Sequence, residues 1–268
     1  MKTFSNVISL TKNSRGVYSI DTTMGCASGM NEGKNGCYNE CYSAKSAKLY
    51  GYDFSKTIIR DFKHKKHQQE IINEISKADM PFIRIGSSGD PSEAWEHTIN
   101  ICRKIQSGLR QIQIDIFGEV KNDKQIVIIT KHWFKIPDHL LSELSSLNIC
   151  INTSISAIDK LDVLQYRISE YEKFKHYCKS ILRLVSFDFN EENEKGVQYK
   201  LIQDEILMNY SVLETVFRSS KSNSLVKENI IHIHKTKFLG KNALVSKRNK
   251  KTYFGKCSTC IEMCGVNM

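Results

Sequence analysis

Short β-branched apolar runs alternate along this chain with longer stretches whose apolar residues recur at helical spacing. That is the pattern of βα units built around a parallel sheet. GVYSIDTTMG (16–25) predicts a first strand; PFIRIGSS (81–88), QIVIITK (125–131), NICINTSIS (148–156), SILRLVSFDF (180–189) and SVLETVFR (211–218) predict five more. Helices are predicted over Cys41–Tyr50, Lys56–Ser76, the SEAWEHTINICRKIQ segment (92–106), Asp138–Leu147, Asp159–Cys178 and Val197–Met208. In the second of these, Ile58, Ile59, Phe62, Ile71, Ile72 and Ile75 form an apolar stripe. Pro91 suits the first turn of the third helix, with Asp90 as its N-cap, and Pro137 with Asp138 opens the fourth. The pattern predicts an α/β fold, a partial (β/α)6 TIM-like barrel over residues 1–225. It breaks down beyond that into a small cysteine-bearing C-terminal extension, residues 226–268.

The composition suits a globular domain: 268 residues, 40% hydrophobic and 25% charged. No apolar run approaches the roughly 20 residues of a membrane span, and the first residues, MKTFSNVISLTKNSRG, lack a signal peptide's apolar core. A cytoplasmic protein without membrane contact is expected, so clustered cysteines point to metal or catalysis before disulfides. Lys and Arg number 39 against 29 Asp and Glu, a formal charge of +10. The excess is densest over Lys56–His67 and Lys235–Lys251, either as two solvated basic faces or as a nucleic-acid footprint.

The candidate chemistry begins in MGCASGMNEGKNGCYNECYSAK (24–45), where Cys26, Cys37 and Cys41 share one glycine-rich loop. Right-handed crossovers gather the carboxyl ends of parallel strands on one face, and this loop leaves the first of them. Three thiols with no nearby histidine fill three positions around a metal centre. An iron–sulfur cluster with one open iron fits that count; so does a zinc loop closed by a distant ligand such as Cys257, Cys260 or Cys264. After the second predicted strand, Gly86, Ser87, Ser88, Gly89 and Asp90 offer small residues and exposed backbone where an amine or carboxylate could dock.

Together these residues resemble the radical S-adenosylmethionine (SAM) superfamily over residues 16–218. There a three-cysteine loop after strand one binds a [4Fe-4S] cluster, and an aromatic residue often adjoins the last cysteine, as Tyr42 adjoins Cys41. The GSSGDP segment (86–91) is similar to that family's "GGE"-like motif, which takes the SAM amino group. IVIITKHWFKIPDHLLSELSSLNICINTSIS (126–156) is similar to the spore-photoproduct-lyase-like branch, and the cysteine–tyrosine loop resembles phage proteins of the gene-product-88 type. The family's usual C-x3-C-x2-C spacing is longer here in both gaps. The resemblance implies an enzyme whose cluster, fed by a reductant such as flavodoxin or ferredoxin, cleaves SAM to a 5′-deoxyadenosyl radical. That radical would take hydrogen from a substrate such as a nucleic acid or peptide. Cys26, Cys37 and Cys41 would be cluster ligands, with Gly86–Asp90 at the SAM amine. Asn152, Ser154 and Ser156, alternating on the fourth strand, would reach the ribose, and Arg183 or Lys131 the SAM carboxylate.

In the tail, Cys257, Cys260 and Cys264 form a second metal-type trio. It could hold an auxiliary iron–sulfur cluster, form a zinc knuckle with His232 or His234, or complete the first site. Cys102, Cys150 and Cys178 sit singly in regular patterns and are expected in the core, as are Trp95 and Trp133 at a core or pocket rim. The alternative to the enzymatic reading is a zinc- or cluster-containing nucleic-acid-binding module without SAM catalysis.

Overall fold

Strand β1 (Leu10–Lys12) opens the regular structure, and β2 (Tyr18–Ile20) pairs with it antiparallel, Leu10 opposite Ile20. The chain continues through β3 (Thr23–Met24), α1 (Ala27–Asn31), α2 (Tyr42–Leu49), β4 (Ile58–Ile59) and α3 (Lys65–Ser76). Then come β5 (Phe82–Ile85), α4 (Trp95–Phe117), β6 (Gln125–Thr130), α5 (Leu141–Ser146) and β7 (Ile149–Ile155). After β7 follow α6 (Leu161–Phe174), β8 (Lys179–Ser186), α7 (Glu194–Asn209), β9 (Val212–Val216) and a hairpin of β10 (Ile230–Ile233) and β11 (Ala243–Ser246).

This computed structural model describes residues 1–12, 16–32, 37–117, 124–217, 224–225, 230–233, 243–246 and 263–268. They fall into two units, residues 1–151 with 173–180 and residues 152–172 with 181–268. The division lies within β7. The boundary expected at 225/226 falls beside residues 226–229, outside the described set.

In the first unit the strand order is β1-β2-β5-β6-β7. β2 runs parallel to β5, with Tyr18 opposite Ile83, and β5 parallel to β6, with Ile83 opposite Ile126. Ile83, Ile85, Ile126 and Ile128 form one buried cluster with Ile72 and Ile75 of α3 and Ile99 and Ile105 of α4, all at 0% exposure. Each such side chain supplies about 1.5–3 kcal/mol by leaving water. In the second unit the order is β7-β8-β9, β8 and β9 being parallel with Leu182 opposite Val212. Its core joins Ile155, Leu164, Tyr171, Leu182, Leu184 and Ile206. The fold is thus α/β on a mostly parallel sheet, and no pairing among the described residues closes the strands into a ring. Among the described residues no helix is long and apolar enough to cross a membrane.

Two expected elements change shape. The strand expected over 16–25 is broken after Ile20. Thr22 turns its carbonyl to the Arg60 amide, and β3 pairs with β4 antiparallel, Thr23 opposite Ile59. The helix expected over Lys56–Ser76 consequently starts only at Lys65, capped by His64. Ile58 and Ile59 serve as a strand, because backbone pairing with β3 competes with helical hydrogen bonds over the same residues. The third helix, conversely, runs eleven residues past its expected end at Gln106, to Phe117. Cys102 and Cys150 are fully buried, as expected, with burial pushing both thiols up to about 12.

In the second unit Arg167 and Asp159 form an ion pair at 2.8 Å, their side chains 1% and 2% exposed. Asp159 also accepts the Ser156 amide at 2.8 Å, setting the turn between β7 and α6. Removing one partner of a buried pair strands the other's charge. Arg167→Met is expected to destabilise the protein by about 3–5 kcal/mol, and adding Asp159→Leu to recover much of that loss. Urea unfolding of both single variants and the double variant measures it; a double-variant loss equal to the sum of the two single losses would show that the pair carries no such coupling.

Candidate functional site

Because β2, β5 and β6 run parallel, the loops following them share one edge of the first unit. These are the cysteine loop, the Gly86–Asp90 turn and Lys131 with its neighbours. Two glycines let the first two loops touch. Gly25 and Gly89 form a parallel backbone bridge, and the Gly25 amide donates to the Ser88 carbonyl at 3.2 Å. Gly25 has φ +78, and a Cβ there would stand 2.1 Å from the Lys56 carbonyl oxygen; one on Gly89 would stand 2.4 Å from that of Thr23. Only glycine meets both demands.

Asp90 fixes the second loop to the third. Its Oδ1 accepts from the Ser92 amide (3.0 Å), the Ser92 hydroxyl (2.8 Å) and the Thr130 hydroxyl (2.6 Å). Oδ2 accepts from the Lys131 amide (2.7 Å). The Ser92 hydroxyl in turn accepts from the Trp133 amide at 2.9 Å. The expected N-cap role is therefore present, and the carboxylate is turned into the fold. The Gly86 and Ser87 amides, read from sequence as a dock for a ligand's carboxylate, both donate to Asp21 Oδ1, at 3.2 and 2.6 Å. An internal carboxylate takes the place offered to an external one. Burial pushes the Asp21 carboxyl up, offset by amides of the Ser87–Ser88 segment and by the guanidinium groups of Arg60 and Arg84.

The three thiols are free, with no disulfide. Cys26 caps α1, its Sγ accepting from the Gly29 amide at 3.3 Å, and lies 3.7 Å from Glu93 Oε1. That same oxygen accepts from the Ser28 amide at 2.9 Å. Burial pushes the Cys26 thiol far above its ordinary range, and the negative charges of Asp90 and Glu93 push it further. Cys37 donates to Cys41, which raises Cys37; burial adds to the rise and the nearby Lys131 ammonium opposes it. Receiving that bond lowers Cys41 to about 6 despite its burial, helped by the amide dipoles of Ser43 and Ala44 at the start of α2. Among the described residues no three His, Cys, Asp or Glu side chains converge closely enough to hold one metal ion. Cys37 and Cys41 meet, while Cys26 faces Glu93.

Cys26, Cys37, Cys41, Gly86–Asp90 and Lys131 all belong to the first unit. Asn152, Ser154, Ser156 and Arg183 belong to the second. Asn152 and Ser154 lie on β7, which is buried along its whole length, and Ser156 falls just past its end, where its hydroxyl accepts from the Ile158 amide at 3.3 Å. The Asn152 amide group donates to the Cys264 carbonyl at 2.8 Å, so this side chain anchors the tail. Arg183 lies on β8, opposite Leu213 of β9. Cys257, Cys260 and His234 lie outside the described residues.

Asp21 and Glu93 were missed in the sequence. Asp90-x-x-Glu93 has the spacing of a capping box, in which the glutamate would reach back to the cap's own amide. Here Glu93 reaches across to α1 instead. Missed too was His132, which is buried at φ 50 and stacks on both Trp95 (5.7 Å) and Phe174 (5.2 Å), rings that also touch each other at 6.3 Å. No family model, curated protein or solved structure matches this chain.

In reduced, metal-free protein, iodoacetamide should label Cys41 ahead of Cys26 and Cys37. Its rate should rise with pH through about 6 and level off above, because the thiolate is the nucleophile. Cys37→Ala removes the donor and should move that midpoint upward. Mass spectrometry of labelled peptides across pH reads both effects; a midpoint at the ordinary thiol value in the unsubstituted protein contradicts the arrangement.

Proposed function

We propose that this chain is a radical SAM-type enzyme built on an open, partial barrel, with Cys26, Cys37 and Cys41 as the ligands of a [4Fe-4S] cluster. The observation that carries the reading is the gathering of three free thiols, the glycine–serine turn and Lys131 at the carboxyl ends of three neighbouring parallel strands. The donor set fits a cluster in kind: soft sulfur ligands, partly buried, with an amide N–H directed at Cys26 Sγ. When bound, the cluster supplies a low-potential electron for reductive cleavage of SAM.

The chain's own part is to bind, orient and manage charge. Cys41 already favours its thiolate, whereas Cys26 and Cys37 hold their protons, so metal loading releases protons and is favoured as pH rises. Glu93 takes the Cys26 hydrogen bond in the metal-free state and holds Ser28 at the head of α1, keeping the loop ordered before loading. The Gly86–Gly89 turn is held rigid from three sides, by Asp21, Ser43 and Gly25. Its carbonyls at Ser87 and Ser88 each keep a second lone pair to offer an ammonium group. Lys131 supplies the cation for a carboxylate partner. Roles at the ribose and carboxylate for Asn152, Ser154, Ser156 and Arg183 rest on the resemblance alone; within the second unit Asn152 holds the Cys264 carbonyl and Ser156 the Ile158 amide. The tail cysteines are proposed as an auxiliary site.

Anaerobic reconstitution with iron and sulfide is expected to load a cluster of about four irons that Cys26→Ala, Cys37→Ala and Cys41→Ala each abolish. SAM should shift the electron paramagnetic resonance signal of the reduced protein, and 5′-deoxyadenosine should accumulate with a reductant. Zinc in place of iron, with no SAM cleavage, would overturn the proposal.

A further inference from the structure

Adjoining the cysteine site, the first unit carries a set of aromatic rings. Phe4 and Tyr52 stack at 4.7 Å with their planes 4° apart, and Phe54 meets Phe4 edge-on at 6.2 Å. Backbone bonds hold this stack in place: the Lys2 amide donates to the Gly51 carbonyl (2.7 Å), and the Asp53 amide to the Lys2 carbonyl (3.0 Å). With Tyr42, Tyr50 and Ser88, these rings line a cleft of 150 Å³. Tyr42 and Tyr50 stand 73% and 66% exposed. Spaced eight apart around Ser46, they project from the same side of α2. Two open phenol rings over a pre-stacked pair make an aromatic platform, unlike a scatter of single exposed side chains.

A cation stands at the cleft: the Lys2 ammonium lies 5.8 Å over the Tyr52 ring. Lys56, two residues past Phe54, is exposed and pairs with Asp53 at 3.7 Å, an ion pair weak enough to exchange for phosphate. The whole chain adds a charge of +10. A cleft this small admits one flat ring system and excludes a helix or folded loop. An occupant that is both planar and polyanionic is a nucleobase on a phosphate backbone, and a duplex keeps its base faces stacked away.

We infer that this cleft is a docking face for single-stranded nucleic acid. One base stacks among Tyr42, Tyr50 and the Phe4–Tyr52 pair, while Lys2 and Lys56 meet neighbouring phosphates. The cleft shares Tyr42 and Ser88 with the neighbourhood of the proposed cofactor site, but base stacking needs neither iron nor SAM, so the inference goes beyond the cofactor reading.

Fluorescence anisotropy of the full chain with labelled single-stranded DNA, single-stranded RNA (each about 12 nucleotides) and the matching duplex tests it. A single strand should bind about tenfold more tightly than the duplex, and the DNA and RNA arms identify the preferred sugar. Tyr42→Ala and Tyr50→Ala should each weaken binding about tenfold. Raising salt from about 50 to about 200 mM should weaken it roughly sevenfold if two lysines neutralise phosphates, and Lys2→Ala should lower the salt slope by about one. The substituted residues are exposed, so melting temperatures should stay put. Duplex binding as tight as single-strand binding, unchanged affinity in the tyrosine variants, or displacement by a tyrosine-rich peptide at equal concentration overturns the inference. Iron content and SAM cleavage measured on the same preparations separate the two ideas. Cofactor chemistry without oligonucleotide binding sinks this one alone, and binding without iron sinks the other alone.

Discussion

The Asp90 carboxylate holds the first unit's strand-end edge together. Four donors converge on it from two loops, and through Ser92 it reaches a fifth, the Trp133 amide. A 7% exposed carboxylate is tolerable only because its hydrogen bonds replace water. The consequence is geometric. The ends of β5 and β6 and the start of α4 are held in one register, and Lys131 emerges from a fixed backbone. The Gly25–Gly89 bridge then attaches the cysteine loop to that frame. Everything with chemical potential on this edge is therefore positioned by two devices, one buried anion and one pair of residues without side chains.

Two carboxylates, Asp90 and Glu93, act on Cys26, and Asp90 reaches Cys37 as well, which sets the electrostatics of the cysteine loop. Negative charge beside Cys26 keeps its proton on, while Lys131 and the α2 amides favour charge at Cys37 and Cys41. The result is a graded set: one thiol poised to ionise and two resisting. A depressed thiol contributes stability that is complete above its unfolded value and fades as pH falls through about 6. The raised thiols act in the opposite direction at alkaline pH.

Much of this was legible in the sequence. The six parallel-type strands were visible as apolar runs because β5, β6 and β7 are buried on both faces, leaving little polar alternation to blur them. Asp90 as a cap and Cys41 at a helix start followed from local rules. What failed to show was anything decided by distant pairing. Ile58 and Ile59 carry helical spacing yet join β3, and nothing within fifteen residues announces that partner. Glu93 has the spacing of a capping box yet bonds Ser28, sixty-five residues away. The Gly86–Ser87 amides have the right chemistry for an anion, and the chain had already supplied one from Asp21. Local pattern identifies what a segment can bond; topology chooses the partner.

Helix α2 joins the two faces of this unit. Its buried side, Ala44 and Ala47, packs against Phe54 and the neighbourhood of Cys26 and Cys41. Cys41 is the cap residue of this helix, so the Ser43 and Ala44 amides of its first turn act on the Cys41 sulfur. Its outer side carries Tyr42 and Ser46, with Tyr50 as C-cap, along the aromatic cleft. Eight residues leave little room for the two sides to move independently, and the Ser43 hydroxyl ties the helix start to the Ser87 carbonyl at 3.3 Å. A ring seated against Tyr42 thus presses on the residue next to Cys41, and a centre bound by Cys41 fixes the helix that walls the cleft. Rigidity of this one short element is what would let occupancy of either face be felt at the other.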